Sequence, residues 1–355
     1  MARALGHVRI LVSARVLFDL EEADAIFKEK GPQEYADFMR GRGKYKKDYV
    51  PELAGRALAK GPLWDFVTAA LSLNKKGEEP VIEIGLLCKD TGETALPIFR
   101  NLDVLGLSGV DDSIIGSRVA TSGGKLDMAY HEAFGTDLLL TRNKEDVQEA
   151  VNNGIAAAVI NFPPKGTNYS RKPDRALQIW VDGDSVAVGS SSEVIFKRDG
   201  LEKYVDTEMK NFDQEMEAGP FTAFLAKVSA LNAKFSPSEQ PFKISLLTAR
   251  GSKSSAHIIA ATEKHGIVFN GGLYFMASAP KAAFLKAARP DIFFDDQEVH
   301  LKDSQLFCPT GLVAYPENSP MSEFLKEKEK ITKKAASVKK PDAKTSSQAR
   351  PPQPS

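Results

Sequence analysis

Two aspartates flank a glycine at Asp182-Gly183-Asp184, directly after the apolar run 177–181. If that run is a β-strand, both carboxylates leave its carboxyl end together, one placed to attack and one to move a proton. Asp-Gly-Asp also suits an ordinary turn or helix cap, so the triplet alone decides nothing. Three further strand-like ends carry matching chemistry. Thr248 closes the run 242–248 with a hydroxyl, and Arg250 follows two residues later. Lys281 opens a helical stretch after Pro280, where the helix dipole disfavours a cation and a functional reason is invited. Asp295-Asp296 ends the run 292–294, and adjacent carboxylates repel unless a divalent cation relieves them. Jointly these residues supply a nucleophile, an acid/base, a phosphate-binding hydroxyl, a cation and metal ligands.

Residues so distant in sequence need a scaffold that brings them together, and the chain repeats one. Residues 13–31 align with 182–200 without a gap: Ile26-Phe27-Lys28 falls on Ile195-Phe196-Lys197, Gly31 on Gly200 and Tyr35 on Tyr204. Residues 61–74 match 219–232, 81–90 match 242–251 with a one-residue offset, and Asp137 meets Asp291. Each copy reads as strand, helix, helix, strand, helix, strand. That alternation predicts an α/β fold of two related Rossmann-like halves with mainly parallel sheets, over 1–165 and 166–318. Such sheets bind ligands at the carboxyl ends of their strands. In the first copy the corresponding positions are Ser13-Ala14-Arg15, Cys88 and Thr141-Arg142. The apolar scaffold persists while the carboxylates are gone, so one copy reads as catalytic and the other as stripped.

A Pro- and Gly-rich stretch at 161–176 reads as a linker. Over 319–355 a charged helix, 321–334, leads into a tail with too little apolar content to fold, expected to be disordered.

Composition narrows the class. Lys+Arg and Asp+Glu both number 47, so no global basic field recruits a nucleic-acid polymer or an anionic membrane. Hydrophobic residues make up 42%, yet no apolar run approaches the ~20 residues of a membrane span. Cys88 and Cys308 are too far apart for a zinc or disulfide framework and suit a reduced compartment as buried thiols. The first residues lack the apolar run of a signal peptide, which points to the cytoplasm. Homo-oligomerisation is left open.

The order Asp-x-Asp, Thr, Lys, Asp-Asp resembles the haloacid dehalogenase superfamily. More specifically, LQIWVDGDSV, GPFTAFL, LLTAR, APKAAFL and RPDIFFDDQ resemble the cytosolic type-I 5′-nucleotidases, as do VSARVLF, ATSGG and NNGIAAAVI in the first half. The resemblance implies hydrolysis of nucleoside 5′-monophosphates, AMP prominently, with Mg²⁺. It makes Asp182 the nucleophile, Asp184 the general acid/base, and Thr248 and Lys281 the phosphate-binding pair. Metal ligands would be Asp182, the backbone carbonyl of Asp184, Asp295 and Asp296. Arg250, His300, Thr121, Gly123 and Gly124 are further candidates for substrate contact or support of the site. Two departures are local: Gly189-Ser190-Ser191 replaces an acidic stretch usual in the family, and 273–278 is altered before Ala279-Pro280-Lys281. The alternatives are a phosphatase of the same superfamily acting on a sugar phosphate, and a nucleotide-binding regulator that has lost catalysis. A third makes the first half an allosteric nucleotide site.

Overall fold

The computed structural model describes residues 6–75, 78–107, 119–124, 127–164, 167, 169, 175–277 and 279–338. Its centre is one sheet of ten strands: β1 Val8–Val12, β2 Ile82–Cys88, β3 Val119–Thr121, β4 Leu138–Thr141, β5 Ala156–Ile160, β6 Leu177–Val181, β7 Phe242–Thr248, β8 Gly272–Phe275, β9 Ile292–Asp295 and β10 Thr310–Val313. The order is β3-β2-β1-β4-β5-β10-β9-β6-β7-β8. Every neighbouring pair is parallel except β5 and β10, which meet antiparallel with Gly311 opposite Ile160. The mainly parallel α/β architecture expected from the alternation is therefore present, with all strands joined in one sheet. Outward from the seam, the order is β5-β4-β1-β2-β3 on one side and β10-β9-β6-β7-β8 on the other.

Local devices recur at matching places. Asn74 follows the helix Trp64–Leu71 and accepts from Val81 N–H while donating to the Ile82 carbonyl. Asn232 ends the helix Thr222–Asn232 and makes both bonds with Phe242. Each amide ties a helix end to the first residues of the next strand, so the backbone there is paired rather than orphaned. Asp137 and Asp291 each exchange bonds with one residue of the neighbouring strand, Arg9 and Gln178 respectively. Gly31 and Gly200 share a backbone conformation, φ/ψ 86/179° and 84/177°, which is costly for a residue with a Cβ. Four residues after each glycine, Tyr35 and Tyr204 pack edge-on against Phe27 and Phe196.

The inner strands β1, β2, β6 and β7 are buried on both faces, as parallel strands between helices must be, and they read as almost continuous apolar runs. The largest core cluster runs from Val8 in β1 to Phe294 in β9, so the two sides of the seam share one interior. Because the seam is antiparallel, the carboxyl edges of the two strand sets face opposite ends of the sheet.

The charged helix expected at 321–334 is longer, Pro320–Val338, and buries Met321 and Phe324 against Val194. The tail after residue 338, expected to be disordered, and part of the 161–176 linker lie outside the described residues. Among the described residues no helix is long and apolar enough to cross a membrane. Both cysteines are buried free thiols, and burial pushes Cys88 up to about 12.

Candidate active site

Strand register assembles the site. Val181 pairs with Phe294 on one side and with Leu246 on the other. One residue further along, Asp182 comes beside Asp295; two further, Gly183 comes beside Thr248. Asp182 N–H donates to the Phe294 carbonyl at 2.8 Å, which fixes the start of the turn. Glycine fits closely next: a Cβ at Gly183 would lie 2.5 Å from the tip of Ile258, which would have to shift, and 3.3 Å from the Thr248 hydroxyl. The turn Gly183–Ala187 then carries Asp184 in an extended conformation and Ser185 in the left-handed one, φ 64°. A serine there is strained. It is held by the bond of its hydroxyl to Glu193, 2.7 Å, and by its N–H to the Gly189 carbonyl.

Lys281 begins the helix Lys281–Ala288 and reaches back to the strand ends. Its ammonium lies 2.8 Å from Asp182 and 2.7 Å from Asp295, all three groups being buried. Two anions at this distance offset the unfavourable helix dipole. Burial disfavours the charge on Lys281, but the two aspartates outweigh it and hold its pKa above the usual value. Asp182 is pushed up to about 6: burial raises it most, Lys281 opposes, and Asp295 adds to the rise. Burial also works against ionised Asp295, yet Lys281 and His300 hold that carboxyl below its ordinary range. His300 Nδ1 lies 3.1 Å from Asp295 Oδ2, and the Gln297 N–H donates to Oδ1 at 2.8 Å. Asp296 turns elsewhere. Tyr315 donates to its Oδ2 at 2.6 Å, while its buried Oδ1 has no hydrogen-bond partner among the described residues. Burial, then Glu193 and Asp295, drive its pKa well above the carboxylate range.

Asp184 is gripped by Arg250, whose Nε and Nη2 donate to its two oxygens at 2.8 and 2.6 Å. Arg250 stands two residues past Thr248, so the β7 end supplies both a hydroxyl and a guanidinium.

The structure thus brings together Asp182, Asp184, Thr248, Arg250, Lys281, Asp295 and His300 at one strand edge, with Asp296 adjoining. Asp182, Asp295 and His300 could share a cation, their donor atoms lying within 4.8 Å of one another. Asp296 is not one of those three; its Oδ2 accepts from Tyr315. Nor are Thr121, Gly123 and Gly124 at this edge. Thr121 ends β3 and the two glycines follow it, seven strand positions from β6 and roughly 34 Å away at ~4.8 Å per strand, on the opposite carboxyl edge.

Residues the sequence reading passed over complete the surroundings: Glu193, Glu208, His257 and Tyr315. A signal for Glu208 was present, since it follows the core Tyr204 by four residues and so shares its helix face. At the first copy's edge, Arg15 and Arg142 both bind Glu21, at 3.4 and 3.1 Å, where the second copy has Asp184 and Asp296. A cavity of about 360 Å³ opens beside the turn, lined by Ser185, Gly189, Ser191, Glu217 and Tyr315 among others. A larger one of about 480 Å³ is lined by none of the site residues named above and lies between Asp137, Ile155, Phe224 and Lys227.

Known proteins can be set beside this geometry. The chain is 26% identical over 309 residues to human (Homo sapiens) "Cytosolic 5'-nucleotidase 1B", covering 84% of this chain and 47% of that protein. It therefore spans about half the length of the curated relative it matches. Among solved structures, histidinol dehydrogenase from Elizabethkingia anophelis aligns over 89% of this chain and 82% of that one at 12% identity. Its TM-score of 0.21 is too low to carry any argument. The model of the family described as 5′-nucleotidase matches residues 1–320, and on that match the chain belongs to the 5′-nucleotidase family.

Proposed function

We propose that this chain hydrolyses nucleoside 5′-monophosphates, AMP among them, to nucleoside and inorganic phosphate. The observation that carries the reading is the convergence of Asp182, Asp184, Thr248, Lys281 and Asp295 on one strand edge in a member of this family. Asp182 attacks phosphorus, and its O–P bond forms as the bond from phosphorus to the ribose O5′ breaks. Asp184 gives its proton to O5′, so the nucleoside leaves as an alcohol. It then takes a proton from the water that attacks phosphorus, the aspartyl-phosphate bond breaks, and Asp182 is regenerated. The Thr248 hydroxyl and the Lys281 ammonium hold the non-bridging phosphate oxygens.

The donor set fits Mg²⁺. Asp182, Asp295 and Asp296 are three buried carboxylates beside one buried ammonium, Lys281, and among the described residues one Asp296 oxygen has no hydrogen-bond partner. Such a surplus of buried negative charge calls for a cation, and oxygen donors suit a hard one. Asp182, Asp295 and the Asp184 carbonyl would hold it, with Asp296 direct or through water and His300 supporting Asp295. When bound, it would lessen the repulsion between the phosphate dianion and Asp182.

The reading extends to architecture and setting. The mirrored strand order, the paired glycines and the repeated Asn and Asp devices support two related haloacid dehalogenase-like halves, 1–165 and 166–318, followed by 319–355. A cytoplasmic setting agrees with buried free thiols and with the relative's name.

The test is phosphate release from a panel of nucleoside and sugar monophosphates, with Mg²⁺ and with EDTA. Turnover of nucleotides in Mg²⁺ alone is expected. Preference for sugar phosphates would replace the substrate assignment, and equal rates in EDTA would eliminate the metal.

A further inference from the structure

We infer that Arg250 is the positioning residue for Asp184, and that Glu208, with His257 and Ser192 behind it, is the buried footing that fixes Arg250. The inference rests on the reading of Asp184 as general acid.

Asp184 sits on a turn whose next residue is strained, and among the described residues the hydrogen bonds to its carboxylate come from Arg250 rather than from the turn. Two donors of one rigid guanidinium meet both carboxylate oxygens, an arrangement that fixes the carboxylate plane as well as its distance. A lysine could fix only the distance.

The guanidinium is itself immobilised. Its side chain is 2% exposed, and Nη1 donates to Glu208 and, at 3.0 Å, to the Ser254 carbonyl. The Tyr204 ring lies 5.7 Å from its central carbon. Glu208 is held in turn by the Ser192 hydroxyl at 2.6 Å and His257 Nδ1 at 3.0 Å. Ser192 and Glu208 lie at opposite ends of the helix Ser191–Lys210, on either side of its break at Gly200. A buried ionic group of this kind is costly to assemble, and one acid would suffice to neutralise one arginine. The second acid anchors the fork from behind, so that Asp184 meets a fixed partner rather than a mobile one. Orientation of this kind is where a small misplacement costs most in rate.

A general acid matters only if the leaving group needs its proton. The test compares a nucleoside 5′-monophosphate with its analogue bearing sulfur in place of the bridging O5′, whose thiolate departs unprotonated. Single-turnover cleavage is measured for wild type, Arg250→Lys, Glu208→Gln and Asp184→Asn, each first checked for an unchanged melting temperature. Arg250→Lys is expected to slow cleavage of the oxygen ester about 100-fold and of the thio analogue less than about 3-fold, since general acid catalysis contributes ~10²–10⁴. Glu208→Gln should show the same pattern, more weakly. Combining Arg250→Lys with Asp184→Asn should add nothing to Asp184→Asn. Equal losses on both substrates, or no loss on either, would overturn the inference. If Asp184→Asn itself fails to discriminate the two substrates, the assignment of Asp184 falls instead, whatever Arg250 does.

Discussion

The Lys281 ammonium lies 2.8 Å from the Asp182 carboxylate, and both groups are buried. One cation from a helix start thus touches the group assigned to attack, and Asp295 shares it. Replacing Lys281 removes both a phosphate-binding charge and the chief influence keeping Asp182 ionised. Lys281→Met is therefore expected to lower kcat/KM by about 10²–10³, as loss of one charge-stabilising donor commonly does. Its acid limb in the pH profile should also move to higher pH. A variant with a reduced rate but an unmoved limb would confine Lys281 to phosphate binding.

Asp182 gives a stability prediction with a definite sign. Its pKa of about 6 in the folded chain exceeds the ordinary ~3.9, because burial outweighs Lys281. The folded state binds this proton more tightly, so the group's contribution is full below the unfolded pKa and is lost as pH rises through about 6. Asp182→Asn stays neutral and escapes that loss. In metal-free buffer at pH 7.5 it should melt roughly 2–5 °C above wild type, and at pH 4 about level with it, while turnover is abolished. A lower melting point at pH 7.5 would mean that the Lys281 pairing outweighs burial.

Much of this arrangement was legible because strand ends are marked in sequence. Asp182, Thr248 and Asp295 each close an apolar run, and parallel register does the rest. What was illegible came from side-chain direction. Nothing in Asp295-Asp296 says that one carboxylate meets Lys281 while its neighbour turns to Tyr315, a residue beyond β10. Arg250 is a candidate from its place two residues past Thr248, but nothing in that segment shows that Glu208, on a different element, anchors it. Thr121, Gly123 and Gly124 misled because a glycine-rich turn shows its conformation but not which edge of the sheet it occupies; the antiparallel seam settles that. The seam itself, short β5 against short β10, carries no sequence signature.

Metal binding should be readable without turnover. A ligand present at 100 times its Kd stabilises the fold by about 2.7 kcal/mol. Mg²⁺ at that excess should raise the melting temperature of wild type by several degrees and that of Asp295→Asn by less than ~1 °C. An equal rise in both would move the cation away from Asp295.

Asn232 tests the scaffold rather than the site. Its amide accepts from Phe242 N–H at 3.2 Å and donates to the Phe242 carbonyl at 2.9 Å, at the start of β7. Asn232→Leu keeps the volume but strips the Phe242 N–H of this bond, while the Phe242 carbonyl still accepts from Asn270 at 2.8 Å. A loss of about 1–3 kcal/mol is expected in urea unfolding, the cost of one buried group left unpaired. A loss below ~0.5 would show that the strand start has other partners.

Tyr315 links the segment after β10 to the acidic pair. Its hydroxyl donates to Asp296 Oδ2 at 2.6 Å, while the other oxygen of that carboxyl is buried with no partner among the described residues. The pKa of Asp296 lies well above the carboxylate range through burial and the charges of Glu193 and Asp295, with Tyr315 acting in the opposite direction. Tyr315→Phe keeps the ring and removes that opposing bond. The carboxyl should then bind its proton more tightly, and a cation drawing on Asp296 must displace that proton. Apparent Mg²⁺ affinity at pH 7 is expected to fall about 3–10-fold, with the deficit shrinking as pH rises. Titration of Mg²⁺ by calorimetry at two pH values separates this from simple loosening of the fold, which would weaken binding equally at both.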